Sequence, residues 1–316
     1  MKKTKIIFFG TPDFAVKSLK VINENFDVVC VVTSPDKKSG RGLKINESEV
    51  KRFSLNNSIP IKQPESLVDS DFLDEISSLD AELFIVVAFK KLPVKVFSLP
   101  SLGTINLHAS LLPDYRGAAP INWVLINNEK TTGVTTFFIN ERIDHGDIIL
   151  KEEITINDDD NFQSLYNRLS IIGSKVLLKT IKIVASGKTK IQKQDESKDL
   201  NIAPKLNSRN TRINWNDSTD KILGMIRGLS PIPGSWTTLK NGDKEIRLKI
   251  LKASISDKSN FEELSIGKVL IINNEIHIYS KDGVINCIKI QLENKKEMLA
   301  KDLLNGYKFY DNSIVY

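Results

Sequence analysis

At 316 residues the chain exceeds the usual size of one domain, so two are expected. Apolar residues make up 41% and charged residues 27%, a balance that excludes both a disordered chain and a protein built from membrane spans. The formal net charge of +6 invites a phosphate-bearing partner without identifying one.

The opening MKKTKIIFFG sets two lysines before a short apolar run that stops at Gly10. It reads as a first strand over residues 5–9 rather than a leader, and a cytoplasmic protein is expected. Residues 10–13 form a tight turn, 14–23 have helical spacing with Pro12 opening the helix, and 26–33 form a second apolar strand. This is a βαβ opening of Rossmann type, yet it lacks both GxGxxG and a Walker lysine. A dinucleotide or nucleoside-triphosphate site is therefore not expected. Residues 34–52 break the βα rhythm with Pro35, Gly40, Gly42 and the cations Lys37, Lys38, Arg41, Lys44, Lys51 and Arg52. By composition this is a solvated basic loop. A helix over 65–79 and a buried strand over 83–88 resume the alternation.

Residues 103–120, GTINLHASLLPDYRGAAP, gather the chemistry. Residues i and i+2 of a strand point to the same side, so Asn106 and His108 share a face at the carboxyl end of the strand 104–108. Open α/β sheets bind ligands at that end. An amide donor beside an imidazole suits a carbonyl under attack, with Asn106 at the developing oxyanion and His108 beside it as donor or proton carrier. Asp144 in ERIDHGDII is the candidate carboxylate to orient the imidazole. The same residue types also serve as a hydrogen-bonded structural histidine and a turn-forming aspartate, and spacing alone leaves both readings open.

Arg116-Gly117 leads into a helix over 119–126, and residues 132–139 read as a strand. Asp158 is expected to cap a long helix over 162–185. Polar, Lys-rich residues 186–206 read as a linker. A helix over 220–228 follows Ile213-Asn214-Trp215. Strands are then predicted at 236–239, 245–255, 268–272, 275–280 and 283–291, with an Asn241-Gly242 turn. Several short strands in about a hundred residues suggest a small OB-like barrel. Cys30 and Cys287 have no CxxC partner and read as separate thiols. His108, His145 and His277 show no metal-ligand spacing, so no metal is expected.

The string INLHASLLPDYRGAAPINW resembles the signature of the folate-dependent formyltransferases, and within them the branch that acts on methionyl-tRNA. So do FFGTPDFA (8–15), SGRGLK (39–44), VVAF with Leu92-Pro93, IDHGDI (143–148) and RGLSPIPGSW (227–236). The resemblance runs through nearly the whole chain in order. It implies a Rossmann-like formyltransferase domain with a mostly parallel sheet over 1–189, a linker over 190–206, and an OB-like tRNA-binding domain over 207–316. The implied reaction moves a formyl group from 10-formyltetrahydrofolate, a co-substrate, to the α-amine of initiator methionyl-tRNA, without a metal or a membrane, by a monomer. Asn106, His108 and Asp144 take the catalytic roles. Ser110, Leu111, Leu112, Pro113, Phe89, Leu92 and Asn140 border the folate, and Arg41, Lys44, Lys37 and Lys38 meet the tRNA, with Arg41 at the tip of the basic loop. Relatives carry Tyr-Gly where this chain has Phe89-Lys90, and Gly and Thr at Arg142 and His145. Two alternatives stand beside this reading. One is a sugar-nucleotide or glycinamide-ribotide formyltransferase, which shares the trio but does not need the basic loop. The other is a folate- or RNA-binding module without turnover.

Overall fold

The computed structural model describes residues 3–39, 44–197, 199–256 and 265–316. The strands β1 (Lys5–Gly10) and β2 (Asp27–Val32) are linked by helix α1 (Asp13–Asn25). A short hairpin follows, β3 (Lys37–Ser39) and β4 (Lys44–Asn46), then α2 (Glu49–Asn56), β5 (Ile61–Lys62), α3 (Ser70–Ser78) and β6 (Leu83–Val87). After α4 (Val94–Phe97) come β7 (Thr104–His108), β8 (Arg116–Gly117), α5 (Pro120–Ile126), β9 (Thr131–Phe138), β10 (Ile148–Thr155) and α6 (Phe162–Ala185). The remainder comprises β11 (Ile202–Ala203), α7 (Thr219–Leu229), β12 (Ser235–Asn241), β13 (Lys244–Ile255), β14 (Val269–Ile272), β15 (Glu275–Tyr279), β16 (Val284–Leu292), β17 (Met298–Leu299), α8 (Ala300–Leu304) and β18 (Ile314–Val315).

The chain divides into two compact units. The first contains Met1–Gly117, Thr131–Thr155 and Tyr166–Ile202, and the second contains Ala118–Lys130, Ile156–Leu165 and Ala203–Tyr316. The first unit holds one sheet in the order β10-β9-β7-β6-β1-β2-β5. β7, β6, β1, β2 and β5 run parallel, while β9 and β10 add an antiparallel edge. Parallel strands covered on both faces need continuous apolar runs, and KIIFFG and LFIVV supply them, with Ile6 through Phe9 and Leu83 through Val87 all buried. The basic segment forms the β3–β4 hairpin, in the register Lys37↔Asn46 and Ser39↔Lys44. Arg41 lies outside the described residues.

Three expectations about helix starts change, and the first is the helix expected from residue 65, which begins at Ser70 with Asp69 as its N-cap. Pro12 is the N-cap of α1 rather than its first helical residue. Asn161, not Asp158, caps α6. The Asn161 side chain accepts from Ser164 N at 3.0 Å while Ser164 Oγ accepts from Asn161 N at 3.0 Å, a reciprocal box. Asp158 is fully exposed, 3.8 Å from Lys130 Nζ.

In the second unit α5 lies against α7. A Cβ at Gly224 would stand 2.8 Å from Ile126 O, and one at Gly228 would stand 2.7 Å from Asn122 O, so only glycine permits that approach. Asn122 Nδ2 donates to Gly228 O at 2.7 Å across the same contact. The strands follow the order β14-β15-β16-β13-β12-β18. The ends of that path meet, with Val269 N donating to Ser313 O at 3.1 Å and Val315 N to Gly267 O at 2.8 Å. The sheet thereby becomes a nearly closed antiparallel barrel. Its core gathers Trp215, Ile222, Ile226, Leu248, Ile278 and Ile290. Among the described residues no helix is long and apolar enough to cross a membrane, and no group of three His, Cys, Asp or Glu is placed to hold a metal.

Candidate active site

β7 delivers Asn106 and His108 to its carboxyl end. Asn106 sits in register with Val86 of β6 and Phe137 of β9, so its backbone is fixed from both sides. Its side chain is half-buried, and among the described residues nothing engages the carboxamide. An amide N–H without a competing partner is available to an oxyanion.

His108 is 6% exposed, and its Nε2 lies 2.8 Å from Tyr115 O. A carbonyl only accepts, so Nε2 carries the hydrogen and the neutral ring keeps its lone pair on Nδ1. Tyr115 has φ +60, and its N–H donates to Asn201 O at 2.6 Å, which fixes the carbonyl that holds the ring. Nδ1 faces Asp144 Oδ2 at 3.8 Å. The expected direct grip of Asp144 on the imidazole is thus replaced by the Tyr115 carbonyl, and the carboxylate stands across a gap longer than a hydrogen bond.

Asp144 occupies the left-handed region, with φ +58, and its Oδ2 accepts from Gly117 N at 2.9 Å. The loop admits no side chain at Gly146, where a Cβ would lie 1.6 Å from Phe138 O. Residues 186–206, read as a linker, are anchored to this loop over part of their length. Gln192 and Ile148 exchange backbone hydrogen bonds of 2.8 and 2.9 Å. Gln194 Nε2 donates to Asp144 O and Gly146 O, each at 2.9 Å, while its Oε1 accepts from Arg116 Nε at 3.0 Å and Nη2 at 2.6 Å. Arg116 is mostly buried, and burial pushes its pKa below the usual guanidinium value against the pull of Glu196. Glu196 faces two guanidinium groups and an imidazole at the rim: Arg142 Nη2 at 3.2 Å, Arg116 Nη2 at 3.5 Å and His145 Nε2 at 3.8 Å.

The segment after β7 is pinned from β9 and β10. Thr135 Oγ1 accepts from Leu112 N at 3.1 Å and donates to Ser110 O at 2.7 Å, and Lys151 Nζ donates to Leu112 O. Ser110 and Leu112 are fully buried, whereas Leu111 and Pro113 are half-buried. Leu92 is 3% exposed within a core that Phe89 borders, its ring edge-on to Phe9 at 5.7 Å between centroids. The side chains of Ser110, Leu112 and Leu92 are thus packed into the interior. Asn140 is exposed, and its Oδ1 accepts from Arg142 N at 2.9 Å in an Asx turn. Lys37 is exposed. For Lys38 and Lys44 the structure describes the backbone alone.

Three groups escaped the sequence: the Tyr115 carbonyl, Thr135 and Gln194. The first is a backbone atom, the second reads as an ordinary strand residue, and the third sits fifty positions beyond Asp144 in a polar stretch.

Residues 3–181 match the family model described as formyl transferase, and residues 205–308 match the formyl transferase C-terminal domain. The chain belongs to the formyl transferase family. It is 46% identical to a methionyl-tRNA formyltransferase of Flavobacterium johnsoniae, covering 100% of both chains. To that of Bacteroides fragilis it is 40% identical, over 97% of each. Among solved formyl transferase structures, the N-formyltransferase of Helicobacter canadensis, determined with folinic acid and dTDP-3-aminofucose, aligns with a TM-score of 0.66. That match has 22% identity over 91% of this chain and 99% of that one. HypX of Aquifex aeolicus aligns with a TM-score of 0.64 and 17% identity, over 96% of this chain and 49% of that one. At these identities the likeness to the two structures is one of fold.

Proposed function

We propose that this chain transfers the formyl group of 10-formyltetrahydrofolate to the α-amine of initiator methionyl-tRNA, in the cytoplasm and as a monomer. For the chemistry, the supporting observation is the meeting of His108 Nδ1 with the Asp144 carboxylate at 3.8 Å, on the strand that carries the Asn106 amide, which nothing among the described residues engages. For the acceptor, the support is 46% identity over the full length with a protein named methionyl-tRNA formyltransferase.

The amine attacks the formyl carbon and a C–N bond forms. The carbonyl electron pair moves to oxygen, where the Asn106 amide meets the developing charge. One such donor is worth about 10²–10³ in rate. The attacking nitrogen then releases its proton. His108 Nδ1 receives it, directly or through a water bridging the gap to Asp144, and the carboxylate stabilises the imidazolium. Collapse restores the carbonyl, breaks the bond to N10 of the folate, and delivers the proton to that nitrogen. The Tyr115 carbonyl keeps the ring from turning throughout.

In this reading residues 1–189 form the catalytic domain, 190–206 the connection and 207–316 the tRNA-binding barrel. The folate is bordered by Ser110, Leu111, Leu112, Pro113, Phe89, Leu92 and Asn140, largely through backbone groups. The hairpin cations Lys37, Lys38 and Lys44, with Arg41, contact the acceptor stem. Phosphate attraction positions the RNA there, and arginine forks or stacks where lysine does not.

The test offers purified protein 10-formyltetrahydrofolate with three acceptors in parallel: methionyl-tRNA, glycinamide ribonucleotide and a dTDP-amino sugar. Acid-stable formyl-methionine is expected from the first alone. Turnover confined to either of the others overturns the assignment of acceptor, and no turnover with any overturns the assignment of activity.

A further inference from the structure

Gln194 is tied to the Asp144 side of the site through both ends of its carboxamide. Its amide hydrogens go to the carbonyls of Asp144 and Gly146, which bracket the turn that carries the carboxylate. Its oxygen takes two donors from Arg116. The residue after Arg116 is Gly117, whose N–H holds Asp144 Oδ2 at 2.9 Å. The contacts therefore form a closed ring, running from the Asp144 carboxylate to Gly117 N, to the Arg116 side chain, to Gln194, and back to the Asp144 backbone. Each link sets where the carboxylate stands relative to His108 Nδ1. The turn needs such support, because Asp144 holds φ +58, a conformation that an aspartate with freedom to relax mostly leaves. Glutamine is suited to the task because it alone among side chains of this length both donates twice and accepts. Gln194 is half-buried, and Gln192, two residues earlier, fastens the segment to β10 through the paired hydrogen bonds with Ile148.

We propose that Gln194 is a positioning residue for formyl transfer, setting the Asp144 carboxylate against His108 by clamping the 144–146 turn to Arg116. The inference rests on the proposed function for its chemistry, since Gln194 reaches neither the imidazole nor the Asn106 amide. It gives the connecting segment after α6 a second task, the support of the catalytic turn.

Gln194→Ala and Gln194→Glu test it. The glutamate keeps an acceptor for Arg116 but has no hydrogens for the two carbonyls, so both variants release the turn while the glutamate retains the Arg116 contact. Each is expected to lower kcat by about 10²-fold, the scale of a small misplacement of a reacting group, with KM for both substrates within about twofold. In an Asp144→Asn background the same changes are expected to have no further effect on kcat, because a residue acting only through Asp144 has nothing left to position. A purely structural role would multiply the two losses instead. Hydrogen exchange of the amides in residues 140–147 supplies a readout independent of turnover. Exchange faster in both variants than in the wild type is expected. Unchanged kcat in Gln194→Glu, multiplying losses in the double variant, or unchanged exchange each overturns the proposal. A wild-type protein with no transfer to any acceptor contradicts the proposed function instead, and the exchange measurement then decides on the clamp.

Discussion

Asp144 Oδ2 lies 3.8 Å from His108 Nδ1, while the opposite nitrogen of the ring, Nε2, is bound to the Tyr115 carbonyl at 2.8 Å. The ring cannot rotate without losing a buried hydrogen bond, and its free nitrogen meets a fixed negative charge. In the proposed reaction this pair carries the proton and the Asn106 amide meets the oxyanion.

Replacing Asn106 by Ala removes the amide and leaves the His108–Asp144 pair in place. Steady-state kinetics are expected to show kcat lowered by about 10²–10³, with KM for 10-formyltetrahydrofolate changed far less. A pure KM effect would remove Asn106 from the chemistry.

Gly146→Ala forces a Cβ into the Phe138 carbonyl, 1.6 Å away where the backbone now stands. The turn carrying Asp144 must shift. A stability loss of about 1–3 kcal/mol or more is expected in urea denaturation, together with loss of transfer activity. Retention of both would show the turn to be pliant.

Raising salt is expected to raise KM for methionyl-tRNA log-linearly, because each phosphate contact releases counterions on binding. KM for the folate is expected to stay nearly flat, and a flat response for the acceptor as well would contradict RNA binding by the basic hairpin.

His277 tests the barrel by pH. It is 5% exposed, with Nδ1 3.0 Å from Ser256 Oγ and Nε2 3.3 Å from Glu275 Oε2. Burial lowers its pKa below the ordinary imidazole value, against the opposing pull of Glu275. The unfolded chain therefore binds the proton more readily than the folded one. The stability this group contributes is full above the unfolded value of about 6.5 and is lost as pH falls through that value toward the lower folded one. Trp123, Trp215 and Trp236 all lie in the second unit, so tryptophan fluorescence reports on it. The urea midpoint is expected to fall between pH 7 and pH 5 in the wild type, and less so in His277→Gln.

Much of the architecture was legible in local pattern. The apolar runs of β1, β2 and β6 announced buried parallel strands, and the alternation after residue 235 announced a barrel. Asn106 and His108 could be placed together because strand geometry alone puts them on one face. What stayed hidden depends on groups with no side-chain signature or on contacts far apart in sequence. The Tyr115 carbonyl is invisible in any sequence. Gln194 lies in a stretch whose polarity reads as a linker, since hydrogen bonds rather than an apolar face hold it in place. The helix cap was misplaced because the Asp-Asp-Asp-Asn run at 158–161 offers four capping residues, and only the geometry of Asn161 with Ser164 selects one. Residues 118–130 join the second unit through the glycine-mediated contacts of α5 with α7, and residues 156–165 meet α7 where Arg227 Nη1 donates to Asp158 O at 3.0 Å, pairings that no local window contains.

The most direct measurement is the single-turnover rate of formyl transfer to methionyl-tRNA by His108→Ala, with both substrates saturating and folate binding checked by calorimetry. A loss of about 10²–10⁴ in the chemical step, the usual contribution of a positioned proton carrier, is expected with folate affinity unchanged. A chemical step within threefold of the wild-type rate would contradict catalysis at this site.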